Sequence, residues 1–232
     1  MGQGLGVHGL MTIHLAGDST VAPGPLDGSG VIGWGGVFHE FVSDEVANRA
    51  IGGATTDSFV AEGRWQATLD AIAPGDHVLI QFGHNDQKRD ELAADGRYSE
   101  NLATFVAQVR ERSGQPVLAT SVERRLFADD GALRVSHGPY PRAVRRLGHR
   151  LDVPVIDLTA FTRWLYVWLG EEGSADLFPH AKPGEDLPGG RDNTHFGLAG
   201  ARAVAGFVAQ SLRQIRGQDD DHEPLGAWVV QP

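Results

Sequence analysis

The 232-residue sequence has no cysteine, so it carries no disulfide framework, no thiol nucleophile and no cysteine-ligated metal. Long apolar runs are missing too. The densest, "WLYVWL" at 164–169, falls far short of the roughly 20 residues a membrane-spanning helix requires. Basic residues are in deficit, 20 Lys and Arg against 30 Asp and Glu, for a formal charge of -10. That balance argues against nucleic acid or an anionic membrane as partner, since both attract basic surfaces. The start, "MGQGLGVHGL", lacks the positive charge and long apolar stretch of a secretion signal. Residues 1–10 are therefore expected to be a leader outside the core, and the protein to be cytoplasmic. A secreted protein whose signal had been cleaved would read the same from Met11 onward.

Several motifs are absent as well. There is no Walker-type phosphate loop, no G-x-S-x-G elbow of the α/β-hydrolases and no H-E-x-x-H among the ten histidines. "GLGVHG" at 4–9 has dinucleotide-loop spacing, but no strand precedes it to feed such a turn. With no cysteine and no H-E-x-x-H, a zinc site is not expected.

What is present is a chain long enough for one sizeable core, 41% hydrophobic and 22% charged. Five apolar runs of strand length occur at 12–17, 45–51, 77–83, 116–121 and 153–158. Helical segments are expected at 34–43, 57–73, 97–113, 139–151, 158–171 and 197–216. Within 97–113, Leu102, Phe105, Val106 and Val109 share one helical face. Strands alternating with helices, and apolar throughout, predict a parallel sheet covered on both faces. Such sheets bind ligands beyond the carboxyl ends of their strands. One domain is expected over residues 11–216, followed by an acidic tail, "GQDDDHEPLGAWVVQP", at 217–232.

Chemistry-bearing residues cluster behind those strand ends. Ser19 in "AGDSTV" follows the first strand, where a turn-forming or helix-capping role competes with that of a nucleophile. A serine hydroxyl needs a base to take its proton. "GGRDNTHFG" at 189–197 offers one, since Asp192 stands three residues before His195 in a loop ahead of a helix. One ring nitrogen can meet that carboxylate while the other faces the serine. Attack on an ester also needs fixed donors for the oxyanion, worth about 3 to 4 kcal/mol each in favourable cases. The amides of Ser19 and Gly53 and the side-chain amide of Asn85 qualify, although a Gly pair or an Asn behind a strand also suits an ordinary turn.

Ser19, Gly53, Asn85 and His195, in this order in "AGDSTV", "NRAIGGATTDSF", "QFGHNDQ" and "DNTHF", resemble the blocks of the SGNH (GDSL) hydrolase superfamily. Through "GWGGVFHEF", "PGDHVLIQFGHND", "HGPYPRAVRRL" and "DNTHFGLAGA" the chain is similar to its rhamnogalacturonan acetylesterase-like branch, from about residue 12 to 213. The resemblance implies a flavodoxin-like three-layer αβα sandwich on a five-stranded parallel sheet, and a cofactor-free serine esterase. It implies Ser19 as nucleophile, His195 as base, Asp192 as orienting carboxylate, and Ser19, Gly53 and Asn85 as the oxyanion hole. Ala54 and Thr55 depart from the branch, which often has a basic residue and a serine there, so contacts at that loop are expected to differ.

The expected reaction removes acetyl or other short acyl groups from a small-molecule or oligosaccharide ester, such as a pectic rhamnogalacturonan fragment, through a Ser19 acyl-enzyme. An acyltransferase using the same intermediate and a non-catalytic carbohydrate-binding module are the alternatives. Arg124, Arg125 and Arg191 are candidates to meet a uronate carboxylate in bidentate fashion. Trp34, Tyr140 and Trp164 are candidate sugar-stacking rings, with core packing the competing fate. Asp18, His84 and Asp86 are expected to shape the turns around Ser19 and Asn85.

Overall fold

The computed structural model describes residues 11–24, 29–179 and 192–218. Strands β1 (Thr12–Gly17), β2 (Glu45–Asn48), β3 (His77–Gln81), β4 (Gln115–Ala119) and β5 (Val155–Ile156) form one sheet in the order β2-β1-β3-β4-β5. All neighbouring pairs are parallel. The side chains alternate faces with the period of 2 that a strand imposes. Ile13, Leu15, Leu79, Val117 and Ala119 enter one core, and Ala16, Val78, Ile80 and Leu118 the other.

Helices cover both faces, completing the expected αβα sandwich. The first core takes in α1 (Trp34–Val37), α6 (Leu158–Ser174) and α7 (Leu198–Ile215). The second takes in α2 (Thr56–Ala61), α3 (Arg64–Ala71), α4 (Arg97–Glu111) and α5 (Tyr140–Leu151). The expected face of α4 is buried as read, with Leu102, Phe105, Val106 and Val109 each at most 2% exposed. Phe105 stacks on Trp65 of α3 at 4.1 Å.

Differences from the sequence expectation have local causes. The single helix expected over 57–73 is two, because Gly63 adopts φ 74° and opens α3 from a left-handed position. The second strand ends at Asn48, whose side-chain oxygen accepts from the Ala50 amide and turns the chain. The helix expected over 34–43 tightens to a 3-10 turn after Val37, and α6 runs on to Ser174 with a non-helical break at Gly170. The expected leader, and all but 217–218 of the expected tail, lie outside the described residues.

No helix among the described residues is long and apolar enough to cross a membrane. In this sheet order β1 lies between β2 and β3, so the direction of chain progression reverses there. A doubly wound sheet leaves its ligand crevice at that point. Ser19, Gly52-Gly53 and Asn85 follow these three strands.

Helix α5 approaches β5 so closely at Gly148 that a Cβ there would lie 2.2 Å from Val155 Cγ2. Gly148→Ala is therefore expected to destabilise the fold by about 1–3 kcal/mol through overpacking. Urea unfolding checks this. An unchanged midpoint would show that helix and strand give way freely.

Candidate active site

The turn after β1 is built around Asp18, which has no exposed surface. Its Oδ1 accepts from the Thr20 amide at 3.0 Å and the Thr20 hydroxyl at 2.8 Å. Gln81 of β3 donates through its side-chain amide to Thr20 Oγ1 at 2.6 Å, and Trp34 Nε1 donates to Gln81 Oε1 at 2.8 Å. This chain of bonds pins the turn to the neighbouring strand and leaves Ser19 part-exposed at the sheet edge.

Opposite it, the loop before α7 presents His195. Its Nε2 lies 3.0 Å from Ser19 Oγ and its Nδ1 2.7 Å from Asp192 Oδ2. An ionised carboxylate only accepts, so Nδ1 carries the ring proton and Nε2 is left to accept from the serine hydroxyl. Asp192 Oδ1 takes the amides of Thr194 and His195 at 2.8 and 3.0 Å. Burial alone would raise the Asp192 carboxyl, but the bonds from the His195 ring and these two amides outweigh it and bring its pKa down to about 2. Asp192 thus stays ionised beside the histidine.

The expected oxyanion donors converge on the same edge. Among the described residues, neither the Ser19 nor the Gly53 amide is taken by an internal acceptor. Gly53 sits at φ 79°, a conformation costly for any other residue. A Cβ on its neighbour Gly52 would lie 3.9 Å from Ser19 Cβ, so the two loops abut. Asn85 donates through Nδ2 to the Ala54 carbonyl at 3.0 Å, and Lys88 donates to Asn85 Oδ1 at 3.1 Å. An ammonium can only donate, so Lys88 fixes which way the Asn85 amide faces. One amide proton of Asn85 remains for an oxyanion.

Of the other expected residues, Trp34 is a correction. It is 1% exposed, a core ring tied to Gln81 rather than a sugar platform. Tyr140 is likewise buried, with its hydroxyl donating to the Leu92 carbonyl. Trp164 is exposed but stacks between Phe161 and Trp168 on α6, and Phe161 in turn stacks on Phe207 of α7. It is absent from the lining of the cleft at Ser19. Arg125 is a second correction, for it is buried as a strut of the histidine loop. It reaches Ser174 Oγ at 2.9 Å, Asn193 Oδ1 at 2.9 Å and the Glu171 carbonyl, and its amide donates to the Asn193 carbonyl.

Arg124 is half-buried, and among the described residues its guanidinium has no hydrogen-bond or ion-pair partner. Burial lowers its pKa, opposed by the charges of Glu123, Asp18 and Asp192. Arg191 lies outside the described residues. Three polar roles went unspecified in the sequence: the buried Arg125 strut, the exposed Lys88 contact and the buried bond from Thr56 to Asp86 Oδ1 at 2.7 Å.

A cleft of ≈ 560 Å³ opens at Ser19 and His195, walled by apolar groups of Ala22, Pro23, Val31 and Ile51. Among the described residues, no three His or acidic side chains are grouped to hold a metal ion. A hydroxyl, a base oriented by a carboxylate, and free amides beside a cleft form the arrangement that carries acyl groups on serine.

Residues 15–203 match the family model of the GDSL-like Lipase/Acylhydrolase family, and the chain belongs to that family. It is 44% identical over 215 residues to the rhamnogalacturonan acetylesterase RhgT of Bacillus subtilis, spanning 90% of this chain and 93% of that protein. It is 33% identical to the probable rhamnogalacturonan acetylesterase YesY of the same organism, over 88% of this chain and 93% of YesY. Among solved structures, the Bacillus subtilis protein YxiM superposes with a TM-score of 0.77 at 26% identity, covering 90% of this chain and 57% of that one.

Asp192→Asn is expected to lower kcat by about 10⁴-fold by disturbing the tautomer of His195. The pH dependence of stability follows in sign. With a folded pKa of about 2, below the unfolded reference of about 3.9, the carboxylate stabilises the fold fully above the unfolded value. That contribution fades as pH falls toward the folded value. Chemical unfolding of both proteins should show a stability gap at neutral pH that closes on acidification. A gap independent of pH would refute the assigned shift.

Proposed function

We propose that this protein is a serine esterase that removes acetyl and other short acyl groups from a carbohydrate. The observation that carries the reading is the unbroken series Asp192–His195–Ser19, at 2.7 and 3.0 Å, opening on a cleft beside two untaken amides. The names borne by RhgT and YesY support the carbohydrate half of it.

In the mechanism, His195 Nε2 accepts the Ser19 proton as Oγ attacks the acyl carbon. Negative charge on the carbonyl oxygen is met by the amides of Ser19 and Gly53 and the remaining N–H of Asn85, a preorganised donor set that needs no rearrangement as the charge develops. The imidazolium, steadied by Asp192, then gives its proton to the departing sugar oxygen. Water repeats the sequence on the acyl-enzyme and frees the acid. The side chains of His195 and Asp192 keep 35% and 26% of their surface exposed. The site is therefore open to water, the acceptor that hydrolysis requires.

Arg124, half-buried and outside the lining of the cleft at Ser19, is the candidate among the described arginines to meet an anionic sugar that extends beyond that cleft. Its guanidinium has no partner among the described residues, and the Asn193 carbonyl bonded to the adjoining Arg125 amide belongs to the histidine loop. A uronate carboxylate matches its planar fork.

Ser19→Ala should reduce hydrolysis of p-nitrophenyl acetate by more than about 10⁴-fold while circular dichroism is unchanged. Wild-type turnover in that variant would remove the assignment. Arg124→Gln should raise KM for an acetylated uronate oligosaccharide by about 10-fold and leave p-nitrophenyl acetate within about twofold. An equal effect on both esters would place Arg124 outside substrate recognition.

A further inference from the structure

Of the buried titratable pairs that the mechanism above leaves unused, one lies directly behind the nucleophile and the oxyanion donor. His84 is 2% exposed and Asp18 has no exposed surface, and His84 Nδ1 lies 3.4 Å from Asp18 Oδ2. Among the described residues, neither ring nitrogen of His84 nor Asp18 Oδ2 has a hydrogen-bond partner, so Nδ1 and Oδ2 are the polar atoms left for each other. Asp18 precedes the nucleophile and His84 precedes the oxyanion donor Asn85, so each member sits one bond from a working residue of a different loop.

Chemistry decides how the pair is used. Burial alone would raise the Asp18 carboxyl, yet His84 and the two bonds from Thr20 hold it below the ordinary carboxylate range. A buried carboxylate oxygen without a donor is costly, and His84 is the donor that faces it. The other ring against His84 is His137, edge-on at 4.4 Å, whose pKa burial pushes down to about 3, leaving it neutral at ordinary pH. Asp18 is thus the charged group that His84 meets. Backbone geometry gives the loop little slack. Gly83 adopts φ 136° with Ser121 Oγ 2.6 Å from where a Cβ would stand, and its carbonyl accepts from the Gln87 amide.

We infer that His84 is a positioning residue, whose Nδ1 contact with Asp18 Oδ2 at 3.4 Å ties the Asn85 loop to the Ser19 turn and sets the distance between nucleophile and oxyanion donor. It never touches substrate. Its contribution appears in the transition state, where Asn85 must meet the charge created by Ser19, so its loss lowers kcat rather than raising KM. This rests on the serine-esterase reading, which the loss of turnover in Ser19→Ala tests separately.

The experiment uses p-nitrophenyl acetate with His84→Leu, His84→Asn and Asn85→Ala, alone and combined. His84→Leu removes the donor and should lower kcat by about 10²-fold with KM within about threefold. His84→Asn, whose amide nitrogen takes the place of Nδ1, should recover kcat to within about fivefold of wild type. In the Asn85→Ala background, His84→Leu should cost less than about threefold more, because its effect runs through Asn85. An undiminished loss in that background, or His84→Asn as impaired as His84→Leu, would overturn the proposal. Should His84→Leu not fold, Asp18→Asn replaces it, since it retains an acceptor for Thr20 but turns the other group against His84. A lowered kcat at constant KM supports the coupling, and wild-type kcat refutes it.

Discussion

The hydrogen-bonded ladder that seats β1 between β2 and β3 governs everything else in this molecule. It sets Gly17 beside Gln81 and Leu15 beside Asn48, so three loops leave the sheet at one edge within reach of each other. The nucleophile turn, the Gly52-Gly53 turn and the Asn85 loop occupy those positions. The base arrives from the far end of the chain, on the loop that feeds α7 of the same sandwich. Without parallel pairing in this order, the residues would share a sequence but not a site.

Behind that edge the polar side chains are buried, and a second property follows from this. Asp18, Asp86 and Glu123 are carboxyl groups with at most 1% exposure; one oxygen each of Asp18 and Asp86 is held by donors while the other has no hydrogen-bond partner among the described residues, and burial raises the Asp86 carboxyl. Asp18 gathers Thr20, Asp86 gathers the amide and hydroxyl of Thr56, and Glu123 gathers Ser136 and Arg163. A buried charge left without such partners would shift its pKa or unfold its surroundings. For Asp86 and Glu123 the donors come from other segments, so partial satisfaction ties together loops that are distant in sequence, whereas the Thr20 donors of Asp18 close a local turn. Thr56 opens α2, so its bonds to Asp86 brace the Gly53 turn against the Asn85 loop. Arg125 does the same for the histidine loop from the β4 side. The site is therefore rigid where the oxyanion is met and open where water and substrate must enter.

Much of this was legible in the sequence, for identifiable reasons. The alternation of apolar runs and amphipathic segments reports burial directly, so five strands and the face of α4 could be read from Leu102, Phe105, Val106 and Val109. Ser19 was visible because it stands just beyond a strand, and Asp192 and His195 because they stand just ahead of a helix, all in Gly-containing blocks. Residues whose roles depend on a distant partner were not. Trp34 reads as an available aromatic until Gln81, 47 positions away, claims its N–H. Arg124 and Arg125 are adjacent and chemically identical, and only the fold turns one inward onto Ser174 and Asn193. The break at Gly63 was missed because the flanking residues keep a helical pattern across it.

The central claim is that all chemistry passes through the Ser19 hydroxyl. Reaction with a serine-directed fluorophosphonate, followed by peptide mapping alongside residual ester hydrolysis, tests it most directly. A single adduct on Ser19, accumulating in proportion to the loss of turnover, is the expected result. Full hydrolysis by protein whose Ser19 is already modified, or inactivation by an adduct elsewhere with Ser19 free, would contradict it.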